Sequence, residues 1–224
     1  MKLFESLQER FREGDGLQRA ALTEALHTSA VLVRVPPQHK FPLHIHPRSE
    51  DCFVILSGYG ELISPDHGLP ISESTVVWIP VGVPHGVIAG PMGILEIGFQ
   101  SPPDANPSEV QSEGPWPRGM RAESLLAHTQ SAGPRADWLP VFQALSSRYL
   151  HPHYAILDTS GKFRAEADVY ELIVIVARGA IEVPEISKHI SSFAALQVCP
   201  GEAIELRALE SPTLLVSIRA NVAV

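Results

Sequence analysis

Cysteine is almost missing from this chain: Cys52 and Cys199 are the only two, far apart and with no CxxC spacing. That argues against a disulfide framework and against a cysteine-built zinc module, and both residues read as buried thiols in a reducing compartment. Cytoplasm is the expected location. Long apolar runs are lacking too. The longest are strand-sized, short of the ~20 residues that a membrane-spanning helix needs. The opening segment MKLFESLQERFREGDG has no apolar signal-peptide core. Basic charge is in deficit, with 17 Lys and Arg against 25 Asp and Glu, a formal net charge of −8. Without a basic run or a basic helical face, a phosphate backbone is repelled. Neither nucleic acid nor a membrane is an expected partner.

What is present points to many short strands. Twenty prolines and 16 glycines punctuate a chain that is 45% hydrophobic, which suits turns between strands better than a helical bundle. Val31, Val33 and Val35 alternate with Leu32 and Arg34 before Pro36–Pro37. Further strands are expected at Leu43–His46, Cys52–Ser57, Glu61–Ser64, Val76–Ile79, Gly86–Ala89 and Ile94–Gln100, separated by turns that include Gly58–Gly60 and Gly90–Gly93. The strand texture returns at Tyr154–Asp158, Leu172–Ala177, Ala180–Val183, Leu196–Cys199, Ala203–Arg207 and Thr213–Arg219. Two helices are predicted, one over 2–13 from Leu3, Phe4, Leu7 and Phe11, the other capped by Asp137 and carrying Trp138, Phe142, Leu145 and Tyr149.

The halves echo each other. FVILSGYGEL (53–62) is matched by VIVARGAIEV (174–183), and VVWIPVGVPHGV (76–87) by ALQVCPGEAIEL (195–206). The expected fold class is all-β, with two antiparallel β-barrels of jelly-roll type in tandem and a few short helices. The expected division is 1–110 for an N-terminal barrel, 111–150 for a linker and helix, and 151–224 for a C-terminal barrel. The stretch SPPDANPSEVQSEGPWPRGM (101–120), rich in Pro, Ser and acids, reads as linker.

The chemistry is concentrated in FPLHIHPRSEDCFVILSG (41–58) and IPVGVPH (79–85). His44 and His46 are two apart, so on a strand they project to one face and can reach one ion. Glu50 and Asp51 follow the Pro47–Arg48–Ser49 turn, and His85 opens a later strand that can lie beside the first. Three neutral imidazoles and a carboxylate suit one borderline divalent transition metal: Fe, Mn, Ni, Co, Cu or Zn. An octahedral ion held by four protein ligands keeps two positions for water, substrate or dioxygen.

These segments resemble the two motifs of the cupin superfamily (RmlC-like jelly rolls). The first, G-x5-H-x-H-x3–4-E-x6-G, is similar to His44-Ile-His46, an acid and Gly58. The second, G-x5-P-x-G-x2-H-x3-N, is similar to Pro80-Val-Gly82-Val-Pro-His85. The resemblance covers roughly residues 30–100, with a weaker copy over 154–219, and implies a bicupin whose N-terminal barrel binds metal and whose C-terminal barrel is degenerate. The motif glycines are replaced by Gln38 and Ser74, and the final Asn by Ala89. Leaving six residues between the acid and Gly58 favours Asp51 as the acid. Glu50 keeps the usual side chain and three-residue gap, and a β-bulge would exchange the two.

Other positions carry weaker signals. Arg34, beside the first motif, is an expected pocket residue, although an outward Arg is the commoner arrangement. Phe53, Ile55, Trp78, Ile97 and Phe99 are assigned to core or pocket wall, and Glu96 is an acid/base candidate. His151-Pro-His153 stands out of motif register and reads as a loop or helix end. Aligning Phe163 with Phe41 puts Glu166 and Asp168 at the histidine positions and Glu171 near the acid. With no counterpart of His85 there, the second barrel reads as structural.

The resemblance implies a metal-dependent enzyme acting on a small organic molecule inside the first barrel, dioxygenase-like, otherwise an isomerase or lyase. The competing expectation is a small-molecule or metal sensor without turnover. A homodimer is expected from the habit of such barrels to pair strand edges.

Overall fold

The structure is a computed structural model and describes residues 1–11, 16–24, 27–104, 107–110, 117–131, 135–167 and 171–221. Its first half comprises β1 (Lys2–Phe4), β2 (Gln18–Glu24), β3 (Ser29–Val35), β4 (Lys40–Ile45), β5 (Glu50–Ile63), β6 (Gly68–Ser72), β7 (Thr75–Ile79), β8 (His85–Ser101), β9 (Ser108–Glu109) and β10 (Arg121–Ser124). After helix α1 (Leu126–Ser131) come β11 (Arg135–Pro140), β12 (Leu150–Leu157), β13 (Lys162–Ala167), β14 (Glu171–Arg178), β15 (Ala180–Val183), β16 (Lys188–Ser191), β17 (Ala194–Val198), β18 (Glu202–Ala208) and β19 (Thr213–Ala220). All strand pairs recorded among the described residues of the main sheets are antiparallel. One sheet runs β10-β7-β5-β8-β3-β2 with β4, β6 and β9 attached. The second half forms β1-β17-β14-β19-β12-β11 and β13-β18-β15-β16.

The pleat sorts the apolar residues into three cores. Alternate side chains of a strand point to opposite faces, so Val33, Val35, Phe53 and Ile55 fill the first barrel. Leu172, Val174, Val176 and Leu215 fill the second. The remaining faces meet between the barrels, where Leu32, Val54, Trp78, Ile97 and Phe99 pack with Tyr154, Ile156, Ile173 and Val216. Each such buried side chain contributes about 1.5–3 kcal/mol from removal from water. The layout explains why so many strands read as continuous apolar runs: both of their faces are covered.

Two strands are longer than the sequence suggests. The turns expected at Gly58–Gly60 and Gly90–Gly93 are bulges inside continuous strands, where β5 and β8 change register between Gly58 and Gly60. Gly58 has φ +87°, and a Cβ there would collide with the carbonyl oxygen of Gly93. Gln38 and Ser74, which replace motif glycines, keep the left-handed backbone at φ +59° and +62°.

Both predicted helices are corrected. Residues 2–4 form β1 and pair antiparallel with β17, followed by a 3-10 turn at Leu7–Arg10. Phe4 and Leu7 are buried in the inter-barrel core, and the open edge of β17 satisfies backbone groups that a short isolated helix would leave to water. Gly14 of the predicted helix end lies outside the described residues. Around Asp137 the chain is strand β11, paired with β12, and α1 precedes it at 126–131. Trp138 meets the Phe163 ring edge-on at 4.8 Å, so tertiary packing overrides the helical spacing. Within the expected linker, β10 pairs with β7. Cys52 is buried as expected, but Cys199 is exposed, and neither is in a disulfide. No helix among the described residues is long and apolar enough to cross a membrane.

Backbone strain separates these positions experimentally. Gly58→Ala should destabilise by more than about 3 kcal/mol, whereas Gln38→Gly and Ser74→Gly should each stabilise by up to about 1 kcal/mol. Urea unfolding midpoints check both signs.

Candidate metal centre

His44 on β4 lies opposite His85 on β8 in the antiparallel register, with ring centroids 4.3 Å apart. His46 follows the end of β4 on the same face, and Asp51 is the second residue of β5. One ligand atom from each of the four lies within 4.8 Å of all the others. Asp51 Oδ2 is 3.1 Å from His85 Nε2 and 3.7 Å from His46 Nε2. All four are buried, none exposing more than 9%.

The other side of each ring is occupied. Nδ1 of His44 is 2.9 Å from the Pro42 carbonyl oxygen, and Nδ1 of His85 is 2.9 Å from that of Val83. A carbonyl only accepts, so both Nδ1 atoms carry the proton and donate it, leaving Nε2 as a bare lone pair facing the centre. His46 Nδ1 lies 3.3 Å from Asp104 Oδ2. Gln100 donates its amide to Asp51 Oδ1 at 3.1 Å and accepts from Ser29 Oγ at 3.0 Å. These outer contacts fix ring tautomers and carboxylate orientation.

Electrostatics follow from the crowding. Burial, helped by the charge of His85, lowers the pKa of His44 to about 4. Burial pushes Asp51 upward, but in the metal-free site a hydrogen bond from His85 Nε2 when that nitrogen carries a proton, and the fields of positively charged His46, His85 and His44, outweigh it, leaving about 2. With the Nδ1 atoms turned outward, either a proton on a ring Nε2 or a metal ion has to lie between the Asp51 oxygen and the imidazole nitrogens.

Glu50 does not face this cluster. Its carboxylate accepts hydrogen bonds from Ser147 Oγ (2.6 Å), the backbone N–H groups of Arg148 (2.8 Å), Leu150 (2.9 Å) and Tyr149 (3.1 Å), and Trp78 Nε1 (3.4 Å). Adjacent strand residues point to opposite faces: Asp51 goes into the barrel, and Glu50 ties β5 to the chain entering β12.

A small cavity adjoins the cluster, walled by Val31, Val33, Phe41, Phe53 and Val87. Glu96 and Arg19 also line it. Of the expected pocket residues, Phe53 lines the cavity and Ile55 lies in the same barrel core. Trp78, Ile97 and Phe99 point the other way, into the inter-barrel core. Arg34 alternates with Val33 and Val35 and so sits on the outer face. Arg19, across the sheet on β2, takes the place expected for it. Gln100, Ser29 and Asp104 went unrecognised in the sequence. The one available signal was the period-two run Glu96, Gly98, Gln100, which shares a face.

In the second barrel the corresponding positions are alkyl. Ala165 pairs with Ile204 as His44 pairs with His85. Leu172 stands seven residues before Gly179, as Asp51 stands seven before Gly58. The counterparts of His44, His46, Asp51 and His85 are thus Ala165, Ala167, Leu172 and Ile204, all buried. Phe163 does match Phe41, but β4 carries a register shift between Phe41 and His44 that β13 lacks. Counting from Phe163 therefore lands one residue late. Glu166 is exposed and pairs with Arg164 at 3.3 Å. Asp168 lies outside the described residues, and Glu171 occupies the position of Glu50. His151 and His153 belong to strand β12 rather than to a loop or helix end, with His151 Nε2 2.8 Å from Asn221 Nδ2.

A family model described as "Cupin domain" matches residues 31–97, the segment that supplies all four cluster residues. The first barrel is a cupin domain. Solved structures superpose over nearly the whole chain. A cupin 2 conserved barrel domain protein from Leptotrichia buccalis superposes with a TM-score of 0.70 at 10% identity, covering 98% of this chain and 96% of that one. A salicylate 1,2-dioxygenase from Pseudaminobacter salicylatoxidans gives 0.72 at 11% identity, covering 97% and 83%. A deletion mutant of Bacillus subtilis oxalate decarboxylase gives 0.65 at 12%, covering 94% and 74%. At these identities the likeness is one of fold. No curated protein sequence matches this chain.

Two substitutions of neighbouring acids should separate cleanly. Glu50→Ala leaves buried donors unpaired and should cost about 2–4 kcal/mol of stability with Co2+ affinity unchanged. Asp51→Ala should weaken Co2+ at least about 10–100-fold, read by titrating the visible absorption of the bound ion. The cluster also predicts a pH limb. His44 has a folded pKa below its unfolded value of 6.5, so the unfolded chain binds more protons between the two. Stability of the metal-free protein should fall as pH drops from about 6.5 to 4, by up to about 3 kcal/mol. His44→Gln should flatten that limb in urea titrations across pH. Asp51 adds a second loss only as pH falls from about 4 to 2.

Proposed function

We propose that this chain is a mononuclear metal-dependent enzyme that transforms a small organic molecule inside its first barrel, dioxygenase-type chemistry being the foremost reading. The observation that carries it is the convergence of imidazole lone pairs and the Asp51 carboxylate on one buried point. Three nitrogens and one oxygen suit a divalent ion from Mn to Zn. His44, His46, Asp51 and His85 would hold it. Such an ion, when bound, supplies Lewis acidity and, if redox-active, reactivity toward dioxygen.

The chain's own residues do the rest. Pro42, Val83 and Asp104 hold the rings in the metal-binding tautomer, and Gln100 holds Asp51. Val31, Val33, Phe41, Phe53 and Val87 give the cavity an apolar wall, and low polarity beside a charge strengthens the electrostatic interactions it makes. The structural similarity to salicylate 1,2-dioxygenase and oxalate decarboxylase supports metal chemistry on small oxygen-rich molecules as a reading, not a particular substrate.

The test is anaerobic purification, identification of the metal, and assay with β-diketones, catechols and keto acids. Turnover by the wild type that His46→Ala abolishes together with metal content is the expected result. Tight ligand binding without turnover across Fe, Mn, Ni, Co, Cu and Zn would replace the enzyme by a sensor.

A further inference from the structure

Glu96 is the anomaly of the first barrel. It exposes only 4% of its surface, lines the cavity beside the cluster, and its Oε2 has no hydrogen-bond partner among the described residues. Isolating a carboxyl in this way is costly. The duplicated barrel shows what else the position accommodates. Glu96 lies between Val33 and Ile55 in the sheet, and Leu215 lies between Ala155 and Val176 at the matching place. Leu215 is fully buried in an alkyl core. The fold accepts an apolar side chain there. The carboxyl occurs in the barrel that also carries the His/Asp cluster, and in the other barrel both are replaced by alkyl groups together.

We propose that Glu96 is a catalytic residue that hydrogen-bonds directly to the ligand held at the His44–His46–Asp51–His85 cluster. The inference rests on the reading of that cluster as a metal site and adds the class of ligand. The cavity has about 20 Å³ open to water-sized molecules, room for one or two waters, so the ligand is compact and the wall side chains must give way to admit anything larger. It presents oxygen to the metal and has a further oxygen to accept from Glu96. Burial first, then the charge of Asp51, raises the pKa of Glu96 to about 8 against the opposing pull of Arg19, consistent with a carboxyl that donates. Arg19, on the row Arg19–Val33–Glu96 across three strands, adds positive charge at the wall. A small oxo- or dicarboxylate meets these requirements.

Glu96→Leu, the replacement that the second barrel already carries, is the informative variant. Co2+-loaded wild type and variant would be titrated with pyruvate and malonate, with azide as a ligand too short to need Glu96. At least one of the two carboxylates should bind the wild type, and the variant should bind it at least about tenfold more weakly, with Co2+ and azide affinities unchanged. Melting of the metal-free variant should rise by about 2–4 °C, because an isolated buried carboxyl is removed. A purely structural Glu96 would instead give a lower melting temperature, and that result overturns the inference. So does carboxylate affinity within twofold of wild type, or azide binding with no response to either carboxylate in the wild type. Failure of the wild type to bind Co2+ would sink the metal reading itself, and this inference with it.

Discussion

A β-strand turns each successive side chain to the opposite face, and at Glu50 and Asp51 that rule divides one acidic dipeptide between two tasks. Asp51 enters the barrel and meets His46 and His85. Glu50 leaves it and accepts three backbone N–H groups from residues 148–150. A one-residue slip of β5 would exchange them, turning the longer Glu50 side chain toward the histidines and the shorter Asp51 toward the donors of residues 147–150. The register is therefore held at both ends, by the pairing of Asp51 with Ile79 and Gln100, and by the Gly58 bulge against Gly93. Packing and chemistry depend on the same alignment.

The duplication makes the cost of a site visible. Two barrels share strand order, a left-handed glycine at Gly58 and Gly179, and matched acids at Glu50 and Glu171, yet their interiors diverge. The second is closed with Ala165, Ala167, Leu172, Leu215 and Ile204, an arrangement stabilised by burial alone. The first replaces that set with His44, His46, Asp51, Glu96 and His85 and must satisfy each polar atom through Gln100, Ser29, Asp104 or a backbone carbonyl. Glu96 is the one left without a partner at Oε2. The alkyl interior and the histidine–carboxylate interior belong to different copies of one fold.

Much of this was legible in the residues themselves. The alternation of Val31, Val33 and Val35, the spacing of His44 from His46, and Gly58 as a register mark identify β3, the ligand-bearing strand and the seven-residue interval to Asp51. Ala180–Val183 stands as expected to the residue. What local pattern could not show was competition from elsewhere in the chain. Lys2–Phe4 and Arg135–Pro140 carry helical spacing, but each adds to a sheet edge formed by residues distant in sequence. Trp78, Ile97 and Phe99 look like pocket wall until a second barrel covers their face.

By itself, then, the sequence determined the fold class, the tandem repeat and the three histidines, because period, turn residues and ligand spacing are properties of short segments. Only the tertiary structure decided between Asp51 and Glu50, moved the cavity cation from Arg34 to Arg19, shifted the second barrel's counterparts by one residue, and left Glu96 alone. Those outcomes depend on which strands pair and where a bulge falls, and such long-range register is set by partners far along the chain.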